Sequence, residues 1–183
     1  MPFTLTRSIL VILLPGAITL SPYLFNLLYT LPQFAAWYES HKTESYFFVF
    51  SAAVIIGSVY EGISSIAEVQ LDKIIQKNNS NLDKEWYSYL CRNNSSEPVA
   101  YRYISRRATT MYFEFSMAYS MVFVGYGIAL NLDHIDFFHG CFQKPAFVLI
   151  FFVLSYYFFR QAMGTHSVLS KIRSELYKAQ QQK

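Results

Sequence analysis

Thirteen of the fifteen Lys and Arg residues of this 183-residue chain fall on one side of a plane that four apolar stretches define. A helix of about 20 apolar residues matches the ~30 Å of hydrocarbon in a bilayer. Inside lipid every backbone N–H and C=O must be satisfied within the protein, which leaves helices or a closed barrel. The stretches run over about 8–30, 46–67, 109–132 and 145–160. Arg7 precedes the first. Lys73, Lys77, Lys84, Arg92, Arg102, Arg106 and Arg107 follow the second, and Arg160, Lys171, Arg173, Lys178 and Lys183 end or follow the fourth. The two remaining loops carry only Lys42 and Lys144, against Glu39, Glu44, Asp133 and Asp136. Short loops rich in Lys and Arg stay in the cytoplasm. The expectation is an all-α bundle of four transmembrane helices, a single membrane domain over 1–183 with both ends of the chain cytoplasmic.

Composition agrees. The chain is 53% hydrophobic and 19% aromatic, and its 15% charged residues fall well below the ~25% of soluble domains. Seventeen Phe and fifteen Tyr suit lipid contact and interfacial belts. No clustered basic platform with a recognition fold points to nucleic acid. A cleaved signal peptide would account for Arg7 and the apolar run after it, but there is no A-x-A-like site and the run continues through Leu28. Cys91 and Cys141 fall on opposite sides of the membrane and are read as unrelated thiols. The Asn-Asn-Ser sequences at 78–80 and 93–95 lie in the cytoplasmic loop and are read as caps and turns, not glycosylation sites.

Pro15 and Pro22 lie within the first segment, and each removes a backbone donor, so a kink or break is expected there. The second segment should continue as a helix to Asn78–Asn81. The cytoplasmic loop 68–108 should also hold a short amphipathic helix, Leu82–Leu90, and a third helix starting near Ser96 and Pro98 that leads into the third segment. The tail 161–183 continues the fourth segment, with Val168, Leu169, Ile172 and Leu176 on one face. Such a stripe has to bury itself against another helix, another copy or a soluble partner.

Ionisable residues within a span are costly and normally face a bundle interior with partners. Ser51, Ser58, Ser65 and Asp72 recur every seven residues on the second segment, as do Glu61 and Glu68, with Gly57 and Gly62 close by. Small residues at this spacing let helix backbones approach closely. Ser51, Gly57, Ser58, Gly62 and Ser65 are therefore read as a packing seam. Glu114 is the one charge of the third segment, and Arg107 and Arg106 precede it by seven and eight residues. The expectation is an ion-pair network of Glu61, Glu68 and Glu114 with Arg102, Arg106 or Arg107, fixing helix register or forming a gate or anion site.

Motifs for chemistry are sparse. Arg160 and His166, with five residues between them, resemble the R-x4–6-H motif of HEPN ribonucleases, but a membrane exit is a poor setting for that soluble helix bundle. His134, Asp136 and His139 in an outer loop fall short of a defined metal site. There is no phosphate-binding glycine loop, no H-E-x-x-H and no G-x-S-x-G. No enzymatic activity and no cofactor are expected.

The fragments LPGAITLSPYL, EGISSIAEVQLD and EPVAYRYISRRATTMYFEFSM resemble those of small bacterial membrane proteins. In size and four-pass topology the chain also resembles membrane subunits of phage-defence systems, of the Kiwa type and of those beside RNA-targeting CRISPR effectors. That resemblance implies a homo-oligomer in the bacterial inner membrane, a channel-like effector or membrane sensor working with a soluble cytoplasmic partner in antiviral defence. The alternative is a passive anchor that recruits a soluble enzyme.

Overall fold

Each apolar segment is taken up by a long helix, as the lack of backbone partners in lipid requires. The structure, a computed structural model, describes residues 7–76, 99–132 and 143–181, and among these there is no strand. Helix α1 covers Leu14–Thr30 after a π-helical turn at Ile9–Leu13. A short α2 follows at Pro32–Ser40, then α3 at Lys42–Gln76, α4 at Val99–Asn131 and α5 at Gln143–Gln181. Together α1, α3, α4 and α5 form an all-α four-helix bundle, each long and apolar enough to cross a membrane. The expected helix at 82–90, the start near Ser96, both cysteines and the outer-loop histidines lie outside the described residues.

The two prolines of α1 are accommodated differently. Ahead of Pro15 the backbone widens, and the Leu14 N–H reaches back five residues to the Ile9 carbonyl. Pro15 then occupies the first turn of α1, where a helix needs no donor. Pro22 sits inside the helix and cannot bond the Ile18 carbonyl, but the Ser21 hydroxyl donates to that carbonyl at 2.9 Å. The expected disruption is thus a π turn at the first proline and an unbroken helix at the second. Only before Pro32 does the helix end, with Leu31 at φ −119° and ψ 89°, the extended backbone that a following proline favours.

Helix α2 was not legible in the sequence. It has no buried residue, and it carries Phe34, Trp37 and Tyr38, with Trp37 stacked on His41 at 5.4 Å. Phe34, Trp37 and Tyr38, with Ser45, Phe48 and Val49 of α3, line an open apolar cleft of about 340 Å³. Aromatic rings in a short helix between two spans fit the membrane interface.

At 1.5 Å per residue, α3 and α5, with 35 and 39 residues, are about 52 and 58 Å long, far more than a bilayer core. Both therefore run on beyond the hydrocarbon as single helices. Helix α4 is the centre of the bundle: half of its most apolar stretch is buried in the protein, against 6% for α5. Met111 and Phe115 of α4 meet Ala162 of α5, with Ala67 and Leu71 of α3 packed alongside. Phe115 meets Phe159 edge-on at 5.8 Å. In the tail Leu169 is fully buried, Ile172 half-buried and Val168 exposed, so the expected stripe is used inside the chain in part.

Polar side chains tie the helices at two further depths. Midway, Ser120 donates to the Pro15 carbonyl at 3.1 Å and Thr19 donates to Ser120 at 2.9 Å. The Thr19 proton is then engaged, so Tyr60, 3.1 Å away, is the donor to Thr19. This relay links α3, α1 and α4. Near the far end, Asn131 donates to the carbonyls of Pro22 and Gly127 at 2.8 and 2.7 Å. Replacing it by Leu leaves a buried Pro22 carbonyl without that donor. Asn131→Leu should cost about 1–3 kcal/mol, read as an earlier midpoint when the purified protein is unfolded by SDS. An unchanged midpoint would show that this bond does not hold α1 to α4.

Candidate functional site

Acidic and basic side chains from four elements converge at the end of the bundle where α1 begins and α3 and α5 extend furthest. On α3, Glu61, Glu68 and Asp72 fall at spacings of seven and four and so share one face. Their cationic partners come from other elements. Arg7, just ahead of the π turn, places Nη2 3.4 Å from Glu61 Oε1, and its guanidinium lies 5.6 Å from the centre of the Tyr112 ring. Tyr112 of α4 donates its hydroxyl proton to Glu68 Oε2. Arg173 of α5 bridges two acids, with Nη2 3.4 Å from Glu68 Oε1 and Nη1 3.8 Å from Asp72 Oδ2. His166 Nε2 lies 2.8 Å from Asp72 Oδ1. The chain of contacts runs Glu61–Arg7–Tyr112–Glu68–Arg173–Asp72–His166 and joins α3, α4 and α5 to the residue that precedes the π turn.

Burial varies along this chain. The Arg7 and Glu61 side chains are 43% and 31% exposed, Asp72 28%, Glu68 and Arg173 only 15% and 17%, and His166 4%. The outer pair is the more exposed part of the chain of contacts. The Glu68–Arg173–Asp72–His166 part is drier, and there a charge left without its partner costs several-fold more. The formal charges are three carboxylates, Glu61, Glu68 and Asp72, against the two guanidiniums of Arg7 and Arg173.

Helix α5 delivers its residues by a regular face. Ala162, Thr165, His166, Leu169 and Ser170 are buried, with Arg173 continuing the series. Small or polar residues let α5 lie close to α4 here, while Arg160, Gln161, Met163 and Gly164 face outward. Thr165 donates to Glu114 Oε2 at 2.8 Å, so Glu114 is bound to α5 one turn away from the main cluster.

The basic partners differ from those expected. Glu61 and Glu68 do enter a network, but with Arg7 and Arg173, and Glu114 takes a threonine. Arg107 instead donates Nε to the Tyr103 hydroxyl at 3.0 Å, Arg106 is exposed, and the Arg102 side chain lies outside the described residues. The reason is axial distance. Residues seven apart on one helix are about 10 Å apart along its axis. Arg107 therefore makes no direct ion pair with Glu114 and acts on it only through its charge at a distance, whereas residues of neighbouring helices at equal depth make direct contacts. Arg160 is exposed and His166 buried, so the pair that resembles a ribonuclease motif is split between two faces of α5.

The small residues of α3 also divide. Gly57 lies against the Ile12 backbone, and a Cβ built there would stand 1.8 Å from the Ile12 carbonyl oxygen. Across the same crossing, a Cβ on Gly16 would stand 1.9 Å from the Ala53 carbonyl oxygen. Ser51 is half-buried, while Ser58, Gly62 and Ser65 are exposed, with open space around Gly62. The close contact is thus made by Gly16, Ala53 and Gly57, and the other small residues lie outside it.

Sequence reasoning missed Arg7, Tyr112, His166 and Arg173 as site residues. A usable signal existed in the seven-residue spacing of His166 and Arg173 about the buried Leu169. Comparison with known protein families, curated proteins and solved structures finds no match to this chain.

Proposed function

We propose that this protein is a membrane sensor of the bacterial inner membrane, in which the charged cluster couples events at the cytoplasmic ends of α3 and α5 to the packing of the spans. The observation that carries this reading is the Glu68–Arg173–Asp72–His166 contact, which joins the two helices that project furthest from the bundle. The excess of Lys and Arg on that side supports a cytoplasmic position. Polar contacts of this kind exist in two states, made or broken, and suit a switch between two helix packings. A soluble partner or ligand that binds the projecting ends would shift the balance by its preference for one packing. Within the described bundle the spans are closed by apolar contacts and by the Tyr60–Thr19–Ser120 relay. Any channel-like output therefore runs between copies, in a homo-oligomer, and a role in antiviral defence fits a sensor that perturbs its own membrane.

The test is expression in bacteria with a membrane-potential dye. Wild-type protein alone should leave the potential intact. Asp72→Asn, which removes the acid shared by Arg173 and His166, should depolarise cells at equal membrane abundance. If neither Asp72→Asn nor Glu68→Gln changes the potential in the presence or absence of the neighbouring gene products, the protein is a passive anchor.

A further inference from the structure

Away from the charged cluster, one face of α4 carries Tyr103, Arg106, Arg107 and Thr110, at spacings of three, four and seven residues, around a cleft of about 300 Å³. We propose that this cleft binds the phosphate of an anionic phospholipid. Arg107 is held in place: its Nε donates to the Tyr103 hydroxyl at 3.0 Å, and its guanidinium lies 5.4 Å from the centre of the Tyr103 ring. This leaves the four Nη protons of Arg107 and the Tyr103 hydroxyl proton directed elsewhere. Arg106 is exposed and adds a second guanidinium. Thr110 donates its hydroxyl proton to the Arg106 carbonyl at 3.1 Å, so the donors left for a ligand are those of the two arginines and Tyr103. Among the described residues no carboxylate pairs with Arg106 or Arg107. The cleft therefore presents donors and positive charge, which is the chemistry of an oxyanion site, and paired guanidiniums match the oxygens of a phosphate.

Depth selects the source of that phosphate. Twenty residues back from Asn131, about one hydrocarbon thickness, the bilayer edge falls near Tyr112. Arg107 and Arg106 lie five and six residues further on, about 8 Å beyond that edge, in the headgroup layer. A soluble phosphate would have no reason to meet an arginine pair at this level, whereas phospholipid phosphates are concentrated there. Basic pockets beside transmembrane helices bind anionic headgroups at this depth.

The test uses the purified full-length protein in nanodiscs and native mass spectrometry. Retention of phosphatidylglycerol should exceed that of phosphatidylcholine by about tenfold, as expected for two arginines near the surface. Arg106→Gln with Arg107→Gln should abolish the preference. Arg107→Lys, which keeps the charge but loses the fork, should reduce it in part and reports on a site that is still folded. Arg160→Gln, on the outward face of α5, should leave it intact. The proposal fails if Arg160→Gln removes the preference equally, since binding is then diffuse. It also fails if inorganic pyrophosphate at equal concentration displaces the lipid, since the site then takes a free anion. Both outcomes are independent of the membrane-potential test, which reads the charged cluster alone.

Discussion

Gly57→Ala should prevent α1 from docking on α3. The added Cβ would stand 1.8 Å from the Ile12 carbonyl oxygen, 2.6 Å from its carbon and 2.9 Å from its Cα, all of them backbone atoms of a helix. No rotamer change can relieve such a contact, so the two helices must separate. Over-packing at a side chain costs about 1–3 kcal/mol, and a rigid backbone neighbour places this case at or above about 3 kcal/mol. Separation would also pull Thr19 away from Tyr60 and Arg7 away from Glu61, losing both interhelical contacts at once. The expected result is loss of the monodisperse peak when the detergent-solubilised protein is passed over a sizing column. Gly16→Ala should do the same from the opposite helix, where the Ala53 carbonyl oxygen stands 1.9 Å away. Gly62→Ala is the control: the space around Gly62 is open, and replacing glycine by alanine within a helix raises its stability by about 1 kcal/mol. A well-behaved Gly57→Ala protein would show that this crossing is not the one the protein uses.

Arg173→Met should have the second largest effect. It keeps a long apolar stem of similar reach but removes the cation between Glu68 and Asp72. Two carboxylates on neighbouring turns of α3 would then face each other without a guanidinium between them. Breaking a buried pair by removing one partner costs about 3–5 kcal/mol, and at 17% exposure the lower part of that range applies. The asymmetry of this effect makes it diagnostic. Removing an acid together with the arginine should restore most of the loss, because it is the unpaired charge that costs and not the missing attraction. A double-mutant cycle of Arg173→Met with Glu68→Gln, read by SDS unfolding, should therefore show a coupling of about 1–3 kcal/mol. Additive effects would mean that the two side chains do not meet in the folded protein.

The two cases bear on how helices associate in lipid. Burial of apolar surface gives no net drive there, because lipid tails are as apolar as leucine, so close backbone approach and interhelical hydrogen bonds take over. Both devices are present and occupy different depths. The glycine crossing of α1 and α3 and the Thr19 relay lie within the bundle. The charged cluster lies at the end where the helices leave it, with Arg7 its most exposed member and His166 its most buried.

Much of the architecture could be read from the one-dimensional pattern. Four apolar stretches of span length, separated by charged loops, force four helices because no other backbone arrangement satisfies its polar groups in lipid. The continuation of α3 beyond the second apolar stretch and of α5 through the tail followed from periodicity that did not stop at the membrane edge. Glu61 and Glu68 could be singled out because a charge in or beside a span requires a partner. The identity of the partner could not be read. A sequence gives spacing along one helix, but Arg7 meets Glu61 across 54 residues and Arg173 meets Glu68 across 105. Which side chains share a depth depends on how far each helix is shifted along its neighbour, and that shift is set by contacts such as Gly57 on Ile12 and Asn131 on Pro22. The same holds for the small residues of α3. Serines and glycines recur on several of its faces, and only the position of α1 decides that Gly57 is buried while Ser58 and Gly62 face outward. Polarity and periodicity along the chain thus determined how many helices there are and which residues need company; relative rotation and axial shift of those helices, which are properties of packing alone, decided who provides it.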